Sequence, residues 1–571
     1  MGDSPTPSVF LVKLRKSRES ISLLHNFTKG SCGDYMRAFI WRQLCVRPRN
    51  SRLTFTMKID REALKKLSTG GLFRWDSSWW LFCLLVLGIK ILLLLLDPSP
   101  KLFMGDSGSY IWTALTGWIP PDRSYFYGYT LRWLAVWPKS FTPLLIIQTL
   151  AGAATTIIFA VICSRFFEIS RRLSYSFGLL CALDPCQVVW ERYVMTETLS
   201  LLIYVLVLYC SFLYLRNRRI WQLAVVQALS VALIGFRMSY LPMVQACTLL
   251  LPVMAFAPSV LRALFNRSDA QASALRTFSA AGSQVIVSVV LMLATHSVYK
   301  HLNGWLLKRE PAYLYTTGHH LASVWAPALQ PSDATDPRFR DLIAEGYKFK
   351  LHDPRARNAQ HFANGFLIDR WRKIEKDFRK SNLVAKQTAM NALRRRPLQI
   401  VDLTVKTYLE YWQIQGIQRY ARSDLGYANL TEDNVKILAE KFRLKTVKEI
   451  TRQPLSLSQL YFVWSWPYYF IVLLSPLTCA LATWLSRYRS FALLLFIHAS
   501  ILMLVITTLS PQPGIRYLQP LSMLSLFSTA ICIDWIGRRG DTAGYKPFFP
   551  RHVKLADADV GEGPSRSATK I

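Results

Sequence analysis

Residues 79–96 read Trp-Trp-Leu-Phe-Cys-Leu-Leu-Val-Leu-Gly-Ile-Lys-Ile-Leu-Leu-Leu-Leu-Leu and stop at Asp97-Pro98. A bilayer takes about 20 residues of apolar helix to cross. This block is long enough and carries one charge, Lys90, read here as snorkelling to the interface. Further apolar blocks follow at about 143–163, 175–190, 196–215, 221–236, 239–257, 282–299, 458–484, 491–509 and 517–536. The sequence therefore predicts an all-α polytopic membrane protein with about ten transmembrane helices. The blocks at 175–190 and 221–236 are short for a crossing, and Asp184-Pro185 marks a break inside the first of them.

The charge pattern gives these crossings a direction. Short connections at 164–174, 216–220, 258–281 and 485–490 are all basic, through Arg165, Arg171, Arg172, Arg216, Arg218, Arg219, Arg262, Arg267, Arg276, Arg487 and Arg489. The tail after the last block opens with Arg538-Arg539. By the positive-inside rule these face the cytoplasm, and so do both termini. The segments 97–142, 191–195, the turn at Arg237, 300–457 and 510–516 then lie outside. The chain divides into a basic cytoplasmic tail (1–78), a membrane core (79–299) whose first external loop is 97–142, a mostly helical external domain (300–457), C-terminal membrane helices (458–536) and a disordered cytoplasmic tail (537–571). Helical patches are expected at 336–349 and at 383–411, the latter interrupted by Pro397.

The formal net charge is +34 over 571 residues. Nucleic-acid binding would gather that charge on a soluble domain, so no nucleic-acid partner is expected. Loop charge and anionic membrane lipids account for it better. The long external segment contains no cysteine, which excludes a disulfide framework there. His319, His320 and His361 match no zinc spacing, and no phosphate-cradling glycine loop is present.

Chemistry is concentrated in the outward segments. The first loop begins Leu102-Phe-Met-Gly-Asp106-Ser-Gly-Ser-Tyr110 and continues Arg123-Ser-Tyr-Phe-Tyr127-Gly128-Tyr129. A carboxylate just beyond the bilayer suits a general base or a metal ligand, although a lone Asp after a helix is also an ordinary cap or turn residue. Trp112, Trp118, Trp133 and Trp137 suit an interfacial helix, and the loop's aromatic faces can stack on sugars. Glu191 and Glu197 are read at the outer mouth of a helix pair, with Glu197 also favoured by the helix dipole. Arg237 and Arg516-Tyr517 stand at outer turns, where guanidinium groups match phosphate geometry or simply snorkel.

In order and sidedness these motifs resemble the GT-C superfamily of membrane glycosyltransferases. The nearest likeness is to the bacterial branch of lipid A aminoarabinose transferases, protein O-mannosyltransferases and Rgt-type lipopolysaccharide sugar transferases. It covers 79–240 and 511–520. Thr130 stands where the family often has Pro, and Ser107 where many relatives have a second acid. The resemblance implies a GT-C-like fold in a bacterial inner membrane with the active site outside. It implies transfer of a sugar from a polyprenyl-phosphate donor to an envelope glycan, lipid or protein, with inversion. Asp106 and Glu197 would be catalytic. Arg123, Tyr127, Tyr129, Glu191, Arg237, Arg516 and Tyr517 would bind substrate. No cofactor is certain, and a divalent cation is the one the family admits. An O-antigen ligase or polymerase, or a non-catalytic lipid or glycan transporter, are the competing readings.

Overall fold

The computed structural model describes residues 76–265, 271–426, 432–442 and 455–540. The N-terminal tail up to 75 and the C-terminal tail from 541 lie outside the described residues, and so do the expectations made for them. The described chain is built of helices. Its single β-type contact is an isolated parallel bridge between Lys101 and Tyr193.

Among the described residues, seven helices are long and apolar enough to cross a membrane. They are Ser77–Leu96, Thr142–Phe166, Glu197–Asn217, Met238–Val260, Phe278–Leu307, Arg489–Thr508 and Ile515–Arg538. A helix pair, Trp466–Leu473 and Ser475–Leu485, is bent by 52° and makes an eighth if it is one span. The apolar helix Ile220–Phe236 is shorter. These features define an all-α membrane protein. Two of the expected blocks are not continuous helices. The block 175–190 divides into Arg171–Ala182 and Pro185–Trp190, because the Asp184 side chain caps the second helix at the Cys186 N–H and Pro185 supplies its first turn. The block 458–484 begins as a separate helix, Leu457–Trp464, before the bent pair.

Consecutive spans do not simply alternate: Thr142–Phe166 and Glu197–Asn217 end side by side, with Phe166 against Phe212, because Arg171–Ala182 and Pro185–Trp190 lead the chain back between them. The helix ends gather into two sets. One set holds arginine pairs: Arg171 with Asp76, Arg487 with Glu168, and Arg538 with Asp534 at 2.7 Å. The other set holds Asp106, Glu197, Arg237 and Arg516. Segment 308–442 packs against that second set. The indole of Trp325 donates to the Thr508 carbonyl at 3.1 Å, His320 bonds the Leu509 carbonyl at 2.8 Å, and Tyr411 donates to the Gly514 carbonyl at 3.2 Å.

The described residues of segment 308–442 are mostly helical, as their caps dictate. Asp336 opens Pro337–Ala344, Asp377 opens Phe378–Arg395, and Pro397 begins Pro397–Tyr411 at the position where a missing N–H costs nothing. Trp371, Phe339, Leu351 and Ile400 lie in a hydrophobic core within this segment.

The first span shows most of its leucines outward, as a lipid-facing helix does: Leu81, Leu84, Leu92 and Leu95 are exposed. Lys90 does not snorkel. It is fully buried, and its ammonium meets the Glu191 carboxylate at 2.5 Å. Gly152 makes the room, since a Cβ there would sit 2.0 Å from Glu191 Oε1.

Candidate active site

The loop after the first span turns at Phe103 into the helix Met104–Thr116, which places Asp106 in its first turn. An acid is favoured there by the unpaired N–H groups of the helix start. Ser107 pins this turn. It accepts the Phe103 N–H at 2.9 Å and donates to the Val194 carbonyl at 2.9 Å. Together with the bridge between Lys101 and Tyr193, this fastens the Asp106 loop to segment 191–196. Ser107 is therefore a structural hydroxyl that holds the turn in place.

Asp106 Oδ1 accepts Arg123 Nη2 at 2.6 Å, and Oδ2 accepts Arg516 Nη1 at 2.6 Å. Burial by itself would raise the Asp106 pKa. The charges of Arg516 and Arg123 and their hydrogen bonds outweigh it and hold the carboxyl down at about 2. The three side chains still keep 17%, 16% and 15% of their surface exposed, so a ligand can reach them.

Arg516 is positioned from three directions. Its guanidinium lies over the Phe103 ring at 4.8 Å, its Nη2 donates to the Tyr517 hydroxyl at 2.9 Å, and its backbone N–H donates to Asp424 Oδ2 at 2.8 Å. Arg237 ends the helix Ile220–Phe236 in extended backbone and joins the same group. Its Nη2 donates to the Arg516 carbonyl at 3.3 Å and lies 3.8 Å from Glu197 Oε1, and its guanidinium sits over Tyr517 at 5.3 Å. Its Nη1 is buried and has no hydrogen-bond partner among the described residues. Glu197 begins its helix, as expected, and is buried.

Of the site residues expected from sequence, Asp106, Arg123, Glu197, Arg237, Arg516 and Tyr517 come together. Three do not. Glu191 is fully buried against Lys90, beneath the site rather than at an open mouth. Tyr127 is buried, donates to Gln148 Oε1 at 3.1 Å and meets Tyr110 edge-on at 4.9 Å, which leaves no free face for a sugar. Tyr129 lies against Tyr125 in a small aromatic cluster. Gly128 lets the helix Tyr125–Leu131 sit close against Met104–Thr116, because a Cβ would sit 2.4 Å from a Thr113 methyl. Of the four tryptophans expected in an interfacial helix, Trp118, Trp133 and Trp137 are exposed and Trp112 is half-buried.

One site residue is absent from the sequence expectations. Asp424, at the end of Ile414–Asp424, is buried beside Arg516, and burial pushes its carboxyl up to about 6 against the pull of Arg516. A single Asp in a polar segment gives no signal of this. Its neighbour Gly426 has φ +61° and packs on Phe103, so segment 308–426 touches the Asp106 loop directly.

The donor set does not suit a divalent cation. Both Asp106 oxygens face guanidinium groups, Glu197 faces a third, and the described residues contain no group of three or more His, Cys, Asp or Glu arranged to hold a metal. The histidines of segment 308–442 are engaged elsewhere: His319 with Ser381 at 2.9 Å and His361 with Ser323 at 3.1 Å. Compared with known proteins, the chain matches no family model and no curated protein.

Proposed function

We propose that this chain is a GT-C-type glycosyltransferase that moves a sugar from a polyprenyl phosphate to an envelope acceptor at the outer face of a bacterial inner membrane. The observation that carries this reading is one convergence. Asp106, Arg123, Glu197, Arg237 and Arg516, drawn from four distant stretches, meet at one end of the helix bundle. That combination joins a candidate base to three phosphate-matching cations where a lipid-borne donor would present its head group.

In this reading the acceptor hydroxyl oxygen attacks the anomeric carbon and gives its proton to Asp106. The new carbon–oxygen bond forms as the bond from that carbon to the phosphate oxygen breaks. The electron pair leaves with the polyprenyl phosphate. Attack opposite the leaving group inverts the anomeric centre. Arg123, Arg237 and Arg516 stabilise the phosphate dianion as it departs, in a site sheltered from bulk water. Glu197 holds Arg237 and orients the acceptor. The reading is tested by incubating the purified chain with polyprenyl-phosphate sugars and envelope extracts. Transfer that depends on Asp106 supports it, and transport of lipid without product would favour a flippase.

A further inference from the structure

The Asp106 carboxylate is held as a ligand would be. Two guanidinium groups from opposite parts of the chain each give one N–H to one of its oxygens, both at 2.6 Å. Paired guanidiniums facing two oxygens are also what a phosphate takes. The carboxylate that is to act as a base and the phosphate that is to bind therefore need the same donors.

The surroundings permit an exchange. Arg123 and Arg516 are partly exposed. The backbone of Arg516 is fixed by the bond from its N–H to Asp424 at 2.8 Å, so the guanidinium can turn while the chain stays in place. Arg237, whose Nη2 donates to the Arg516 carbonyl, adds a buried Nη1 with no hydrogen-bond partner among the described residues. A buried donor left unpaired carries a cost that an incoming anion removes.

We propose that in the ligand-free chain Asp106 occupies the anion position, and that the phosphate of a polyprenyl-phosphate lipid displaces it, drawing Arg123 and Arg516 off the carboxylate and freeing it to accept a proton. The proposal rests on the lipid-phosphate reading of the site. The exchange is of hydrogen bonds alone: two N–H bonds to the carboxylate are lost and at least two to phosphate oxygens are gained. It makes the base dormant until the donor is seated. Basicity then rises for the reason that it was low, the two adjacent cations.

The test is binding of undecaprenyl phosphate to the purified full chain in nanodiscs, with uncharged undecaprenol as the control. Asp106→Asn removes the competing anion, so it should bind the phosphate lipid on the order of tenfold more tightly than wild type. Equal or weaker binding by a folded Asp106→Asn overturns the exchange. If that variant does not fold, the wild-type infrared difference spectrum decides. A shift of a carboxylate stretching band on lipid addition supports the exchange, and its absence overturns it. A wild-type chain that does not prefer the phosphate over the alcohol removes the lipid-phosphate reading itself, and the exchange with it.

Discussion

Asp106 and Arg516 stand 410 residues apart in the chain and 2.6 Å apart in space. Asp106 follows the first span and Arg516 opens the last, so this one contact ties the two extremes of the membrane bundle to a common point. The contact is partly exposed, which leaves it open to a ligand. Removing Arg516 therefore does more than delete a charge. Arg516→Ala should lower transfer by about 10²–10³-fold, the scale for loss of one preorganised electrostatic donor. Arg516→Lys should rescue only part of it, because a lysine cannot give its hydrogen bonds in a planar fork. Steady-state rates with a polyprenyl-phosphate sugar check both, and full activity in Arg516→Ala would remove Arg516 from the site.

The buried pair of Lys90 and Glu191 is expected to behave as a structural lock. Lys90→Met alone or Glu191→Gln alone leaves one unpaired group, at a cost of about 3–5 kcal/mol where an uncompensated charge remains. The double variant should recover much of that loss. Gly152→Ala should also destabilise, since the Cβ collides with Glu191. Thermal unfolding in detergent measures all four. Single variants as stable as wild type would show that the pair is dispensable.

The histidines of segment 308–442 set an acid limit on stability. Burial, reinforced by Arg372, lowers His319 to about 4, and burial with His320 lowers His361 to about 3. Their folded values lie below the unfolded value of 6.5, so the unfolded chain binds more protons between them. Stability from these groups is present above about 6.5 and is lost as the pH falls toward 4 and then 3. His319→Gln should flatten that slope in unfolding curves taken at several pH values. His319→Ala and His361→Ala should both retain transfer, whereas an O-antigen ligase-type enzyme would lose it.

Asp424 has the opposite sign. Its folded pKa of about 6 lies above the ordinary carboxyl value of 3.8, so the folded chain holds the proton more tightly. Its contribution is greatest below about 4 and declines as the pH rises through 6. Asn at this position keeps an acceptor for the Arg516 N–H and removes the charge. Wild type should thus gain stability relative to Asp424→Asn on going from pH 7 to pH 4. Parallel unfolding curves for the two would contradict the assignment.

Much of this arrangement was legible in the sequence because it is written in local features. A run such as 79–96 has no fold other than a buried or membrane helix, and alternation of the ten apolar blocks read from the sequence puts Asp106, Glu197, Arg237 and Arg516 at one end. What escaped depends on partners distant in the chain. Lys90 looked like a snorkelling residue because its counter-ion, Glu191, is 101 positions away. Glu191 looked external because it lies between two apolar blocks, where a short connection and a buried kink read alike. Asp424 sits in a charged segment where no single acid stands out. The resemblance makes Tyr127 a substrate-binding residue, and only its distant partner Gln148 and the ring of Tyr110 reveal that it is packed inside the protein.

The central claim is that Asp106 takes the acceptor proton during sugar transfer from a lipid phosphate. The most direct measurement follows a radiolabelled sugar from its polyprenyl phosphate into an envelope extract, with purified wild type and Asp106→Asn side by side. Wild type should place label in a glycan, lipid or protein product, and a folded Asp106→Asn should lose about 10²–10⁴-fold of that transfer, the range for a general base. Undiminished transfer by Asp106→Asn, or no transfer by wild type from any polyprenyl-phosphate sugar, would contradict it.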